Sequence, residues 1–170
     1  MGAAAVPADL LAAKALVYDP GGFTCSTPVL EPESAAYGAC CFTLDGRAVR
    51  FRVAGTTPTK AGQFVTMWQR SEQGPIRPFD SADGVDLFVV SSRSGRHLGQ
   101  FVFPGDVLRD RGVVSGQGVG GKRAFRVYPP WAEVTVGQAR STQRWQVEYY
   151  LAIVGHGPVD AVRARALYHP

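Results

Sequence analysis

"YGACCFTLDGRAVRFRVA", residues Tyr37 to Ala54, decides how this chain is read. Two runs rich in apolar, aromatic and β-branched residues meet at Asp45-Gly46, a pair that accepts the positive φ demanded by a two-residue hairpin turn. Side chains alternate between faces along a strand, so Val49, Phe51 and Val53 are expected to face a core. Arg50 and Arg52 then fall on the opposite face, as two presented guanidiniums.

Upstream of the hairpin, Pro7 precedes Leu10, Leu11, Ala13, Leu16 and Val17, and Asp19-Pro20-Gly21-Gly22 stops the pattern, which predicts a helix over 7–18. Downstream, strands are expected at Gln63 to Arg70, at "VDLFVVSS" and at "GQFVFP", followed by a helical turn at "GDVLRDRG". "AFRVYPPW" reads as a last strand halted by Pro129 and Pro130. "VGQARSTQRWQVEYYLAI", Val136 to Ile153, reads as a closing helix with Thr142, Trp145, Tyr149 and Ala152 as its buried stripe. A short C-terminal tail completes the chain. Helix, several strands, then helix predicts an α+β (mixed α/β) fold, a central mixed β-sheet flanked by helices. It is expected as a single domain over 1–170 with its core from about 33 to 153.

With 170 residues, 45% of them apolar and 19% charged, the chain has the composition of an ordinary globular protein. The start lacks a basic segment, and Pro7, Asp9 and Lys14 interrupt its apolar run, so neither a signal peptide nor a spanning helix is expected. Met1-Gly2 followed by Val6 does not fit a myristoylation site. A cytoplasmic address without a membrane partner follows. Cys25, Cys40 and Cys41 are odd in number, and neighbours on a strand point to opposite faces, so reduced, buried thiols are expected. His97, His156 and His169 are far apart and C-x-x-C is absent, which leaves no metal site and no cofactor to expect.

Charge is uneven along the chain. Residues 47–144 carry fifteen Lys or Arg against seven Asp or Glu, a local +8 within a total of +4. Such an excess is either the footprint of a polyanion partner or a solvated face. Gly116, Gly118 and Gly121 satisfy G-x-G-x-x-G but lead into a strand rather than a helix, so a dinucleotide site is rejected; Lys122 and Arg123 at the end of that loop remain able to touch an anion. "GTTPTK" lacks the second glycine and the Ser/Thr of a P-loop. What remains is a loop whose Thr56, Thr57, Thr59 and Lys60 could hold one phosphate, or a plain turn at Pro58. Arg140 and Arg144, four apart on a helix, form a candidate phosphate clamp. Trp68 and Trp131 lie beside cations, the ingredients of a base-stacking platform, although packing alone would explain them.

The blocks "FRVAGTTPTKAGQFVTMWQR", "GPIRPFD", "GQFVFP", "GKRAFRVYPPW" and "QARSTQRWQ" resemble, in this order, the MepB family, small bacterial proteins named after a member encoded beside a multidrug efflux pump. The resemblance runs from about Glu33 to Leu151. It implies a fold similar to the PD-(D/E)xK nucleases, with nucleic-acid binding in place of demonstrated cleavage. The family pattern has lysines where this chain has Gly55 and Gln69, so weaker phosphate contact is expected. The nuclease motif itself is absent: two residues before Lys14, Lys60 and Lys122 stand Ala12, Pro58 and Gly120, where a carboxylate would be needed.

The expected function is therefore non-catalytic binding of nucleic acid. Single-stranded DNA or RNA is favoured because no recognition helix is evident. The expected contacts are Arg50, Arg52, Lys60, Arg70, Lys122, Arg123, Arg126, Arg140 and Arg144, with Trp68 or Trp131 stacking. The alternatives are a metal-dependent nuclease built around Asp80 and Asp86, and an interaction or small-molecule module serving efflux or stress regulation.

Overall fold

The computed structural model describes residues 5–70 and 74–170; Met1 and Gly2 lie outside the described residues. Helix α1 (Ala8–Ala13), continued by a π-helical turn (Lys14–Tyr18), leads to strands β1 (Val29–Leu30), β2 (Cys40–Leu44) and β3 (Arg47–Val53). Four short strands follow: β4 (Gly55–Thr56), β5 (Gln63–Thr66), β6 (Trp68–Arg70) and β7 (Ile76–Pro78). Then come β8 (Leu87–Ser94), β9 (His97–Pro104), helix α2 (Gly105–Asp110), β10 (Ala124–Val127), helix α3 (Gly137–Gln146), β11 (Tyr150–Val154) and helix α4 (Ala161–Tyr168).

The hairpin forms as its turn chemistry requires. Asp45 and Gly46 take φ values of 50° and 80°, and Leu44 pairs with Arg47 across the turn. β3 then pairs in parallel with β8, so the six-stranded sheet, in the order β1-β2-β3-β8-β9-β11, is mixed. The chain folds as α+β, with this central sheet flanked by helices. Smaller sheets, β10-β5-β4 and β6-β7, lie beyond it.

Both faces of the central sheet are buried. Leu87, Val89, Leu98, Val102, Leu151 and Ile153 pack with Leu10, Val17 and Leu167 on the face covered by α1 and α4. Phe88, Val90, Phe101, Phe103 and Tyr150 face the other way, against Val65, Met67, Phe79, Leu108 and Val127 from the small sheets, the residues adjoining their strands, and α2. This double burial explains the nearly uninterrupted apolar runs of β8 and β9. It also corrects the reading of β3: the alternation is as expected, but the arginine face is covered too. Arg52 is fully buried, and both Arg50 and Arg52 lie over the Phe79 ring.

Three other expectations change. The run Gln63 to Arg70 is two strands in different sheets, because at Met67 the chain turns from β10 to pair with β7. The closing helix stops at Gln146 and passes through a 3₁₀ turn (Val147–Tyr149) into β11. Arg163 of α4 donates to the carbonyls of Val147, Glu148 and Tyr150 at 3.1, 3.0 and 2.8 Å, satisfying groups that a continuing helix would have bonded internally. Residues expected as a tail thus include a helix, and its Tyr168 meets Tyr18 hydroxyl to hydroxyl at 2.6 Å within the core.

All three cysteines are free; Cys40 is buried, which pushes its thiol up to about 12, whereas Cys25 and Cys41 are half-buried. Among the described residues no helix is long and apolar enough to cross a membrane.

Candidate polyanion-binding cleft

β10 is the edge strand of its small sheet, and α3 lies along its free side. Side-chain amides join them where another strand would have paired. Gln146, fully buried, accepts from the Tyr128 N–H at 2.8 Å and donates to the Arg126 carbonyl at 2.9 Å. One turn earlier, Gln143 donates to the carbonyls of Pro129 and Ala132 at 2.9 and 3.0 Å. Trp145 and Tyr149 carry the helix onto the central sheet through Phe103, with ring centres 5.5 and 6.0 Å away.

Between this helix and the β4–β5 loop opens a cleft of about 810 Å³. Lys60, Arg111, Lys122 and Arg126 line it, with Phe125, Tyr128 and Trp145 supplying aromatic walls and Thr59, Ser141 and Thr142 supplying hydroxyls. Among the described residues that line it there is no Asp or Glu. Arg126 is held in place: its guanidinium donates to Thr57 Oγ1 at 2.6 Å and to the Ala61 carbonyl at 3.2 Å, and it lies over Phe64. The loop is shaped at Gly62, where φ is +75° and an added Cβ would sit 2.6 Å from the Tyr128 ring. Arg111 lies 4.7 Å from the centre of the Trp145 ring, a cation over an aromatic face.

The structure thus brings together Lys60, Lys122 and Arg126 from the sequence-expected contacts and adds Arg111 and Trp145. Trp145, expected in a buried stripe, is half-buried and lines the cleft. The others lie elsewhere. Arg50 and Arg52 both pair with Glu31, at 3.2 and 3.0 Å, and Arg52 has no exposed surface with which to meet a phosphate. Their expected role as phosphate contacts is corrected by the covered face and by the carboxylate between them. Arg70 and Trp68 line a separate hollow with Glu33. Arg140 and Arg144 line another, with Pro130, Gln143 and Val147, and Arg140 donates to the Val134 carbonyl. Arg123 is exposed but does not line the cleft. Trp131 stacks on His97 at 6.1 Å, and His97 in turn on His156 at 4.7 Å.

The acidic residues weighed for a metal are engaged otherwise. Asp80 accepts from Ser115 Oγ at 2.6 Å and from the Gly118 and Ala82 N–H groups at 2.8 and 2.9 Å, which hold its carboxyl down to about 2. Asp86 accepts from the Ala48 N–H at 2.8 Å. Among the described residues no group of three or more His, Cys, Asp or Glu side chains is placed to hold a metal ion.

The family model described as MepB-like matches residues 31–152. The chain belongs to the MepB-like family. A solved structure, the crystal structure of MepB, is similar to it at 32% identity and a TM-score of 0.72, over 75% of this chain and 86% of that one. No curated protein matches. All the residues that line the cleft fall within the MepB-like span, whereas α1 and α4 fall outside it.

Proposed function

We propose that this MepB-like protein binds single-stranded nucleic acid, DNA or RNA, in the cleft between β10 and α3, without cleaving it. The observation that carries this reading is the convergence of Lys60, Arg111, Lys122 and Arg126 on one cavity with no carboxylate among its described lining residues. Cations gathered around one concave site concentrate positive potential and attract a polyanion. Trp145, Phe125 and Tyr128 add faces on which bases can stack, a contact open to unpaired bases and closed to a duplex. Binding without cleavage rests on the same lining, since phosphodiester hydrolysis of the two-carboxylate kind needs acidic groups at the phosphate to hold a divalent ion.

The test is an anisotropy titration with labelled single-stranded DNA, single-stranded RNA and duplex at two salt concentrations. Single strands are expected to bind at low salt, more tightly than duplex, with affinity falling as salt rises because bound phosphates release counterions. Absence of binding at low salt refutes the reading. Incubating labelled strands with Mg²⁺ or Mn²⁺ checks the rest: intact substrate is expected, and shortened product refutes the non-catalytic part.

A further inference from the structure

Resting on that reading, the geometry points to a finer assignment. We propose that the cleft is a nucleotide-sized subsite in which Trp145 stacks a base while Lys60 and Arg126 hold its phosphate.

The cleft has a definite size. A volume of about 810 Å³ lies within the range of sites that enclose a small molecule, room for one nucleotide unit and part of a second. Trp145 is also the indole in the right place. Trp68 shares a hollow with Glu33, and Trp131 already stacks on His97, with planes 15° apart. Trp145 leans on Phe103 and Tyr149 at 51° and 67°, contacts that fix the ring while it still lines the cleft. Arg111 now occupies one side of that ring, 4.7 Å from its centre. A base entering there displaces the guanidinium, which can then close over the base in the same cation-to-ring contact.

The other part of the cleft suits a phosphate. Arg126 is fixed by Thr57 and Ala61, yet those two hydrogen bonds leave further guanidinium N–H donors for an anion. Lys60 stands on the same loop, exposed and without an acidic partner among the described residues. The class of ligand is therefore a nucleoside monophosphate, either free or as one unit of a strand.

Indole N–H resonances of the full-length protein, followed by NMR, test this. The probes are adenosine 5′-monophosphate, ribose 5-phosphate and a single-stranded oligonucleotide. The nucleotide is expected to move the Trp145 resonance and leave those of Trp68 and Trp131 in place. Ribose 5-phosphate, lacking a base, is expected to bind at least about fivefold more weakly, as is the nucleotide to Trp145→Leu, the loss that follows from removing a stack. Should that variant not fold, the wild-type titration decides alone. If the oligonucleotide binds while the nucleotide leaves Trp145 unmoved, the subsite is overturned and strand binding stands. If the nucleotide engages Trp145 and no strand binds, the subsite is supported as one for free nucleotides and strand binding falls. Silence with both probes overturns both.

Discussion

Replacing Gln146 by Met keeps the volume of the buried side chain and removes its amide. The substitution strips a partner from each of two backbone groups, the Tyr128 N–H and the Arg126 carbonyl. A backbone group left unpaired away from water costs about 1–3 kcal/mol, and removing the buried amide itself returns part of that, so a net loss of about 3 kcal/mol is expected. For a chain of this size that loss lowers Tm by about 6–12 °C. Urea unfolding measures the first quantity and calorimetry the second, while hydrogen exchange at the Tyr128 amide reports the local effect. Gln143→Met is the comparison: Gln143 is only half-buried, water can replace its amide, and a loss below about 1 kcal/mol is expected. Gln146→Glu separates hydrogen bonding from packing. An ionised carboxylate still accepts from Tyr128 but faces the Arg126 carbonyl oxygen, and burial together with that oxygen raises its pKa. A raised folded-state pKa means that this variant gains stability relative to wild type as pH falls from 7 toward 5. A Gln146→Met protein within about 0.5 kcal/mol of wild type, with the Tyr128 amide still protected, refutes the reasoning, because that scatter is what an ordinary surface change produces.

Other outcomes follow from the same geometry. Lys60→Ala and Arg126→Ala are each expected to reduce the slope of log affinity against log salt for single strands by about 0.7, whereas Arg50→Ala, outside the cleft, leaves it unchanged; an equal effect of all three substitutions on the slope speaks against the cleft. Glu31→Ala leaves the fully buried Arg52 without its carboxylate and is expected to cost about 3–5 kcal/mol in denaturant unfolding, so a loss under about 1 kcal/mol rejects the buried pair as a structural tie. Gly62→Ala forces a Cβ against Tyr128 at a positive φ and is expected to lower both Tm and strand affinity; unaltered affinity detaches the loop from the site. Asp80 has a depressed pKa, so its hold on Ser115 and Gly118 is complete above the ordinary carboxylate range and is lost as pH falls from about 4 to about 2. Exchange of the Gly118 amide, corrected for intrinsic rate, is expected to rise over that interval, and a flat profile contradicts it.

Much of the fold was legible because its signals are local. Asp45-Gly46 fixes the hairpin through the backbone conformations it accepts, and the apolar runs of β8 and β9 declare strands buried on both faces. The errors arise where a local pattern admits two outcomes. Val65 and Met67 keep the strand alternation across a point where the chain changes partners, so nothing in the residues marks the break. Tyr149 and Ala152 continue the helical spacing of Trp145, yet they lie in or beside β11, since a short apolar run reads equally as helix or strand. α4 did carry a signal: Asp160 caps it by accepting from the Arg163 N–H, and Ala164 and Leu167 follow at helical spacing.

The site was half legible for a different reason. Cations in loops are visible in a sequence, and Lys60, Lys122 and Arg126 converge, but a strand pattern says that its two faces differ without saying what covers them. Arg50 and Arg52 looked free because Glu31 stands 21 residues before Arg52. The same pairing explains why a chain with a net charge of only +4 can present a cleft whose charged lining residues, among those described, are all cations. Its carboxylates serve as internal ties: Asp9 to Ser91 and Arg93, Glu31 to Arg52, Asp83 to Arg77, Asp80 to the 115–118 loop. The positive character of the cleft therefore comes as much from where the acids are held as from how many bases the chain has. Removing a partner from an acid, as Arg77→Ala would from Asp83, changes stability first and leaves the cleft potential nearly intact, because the charge stays in the turn that follows β7, held by Gln69 and the Asp80 N–H outside the cleft lining.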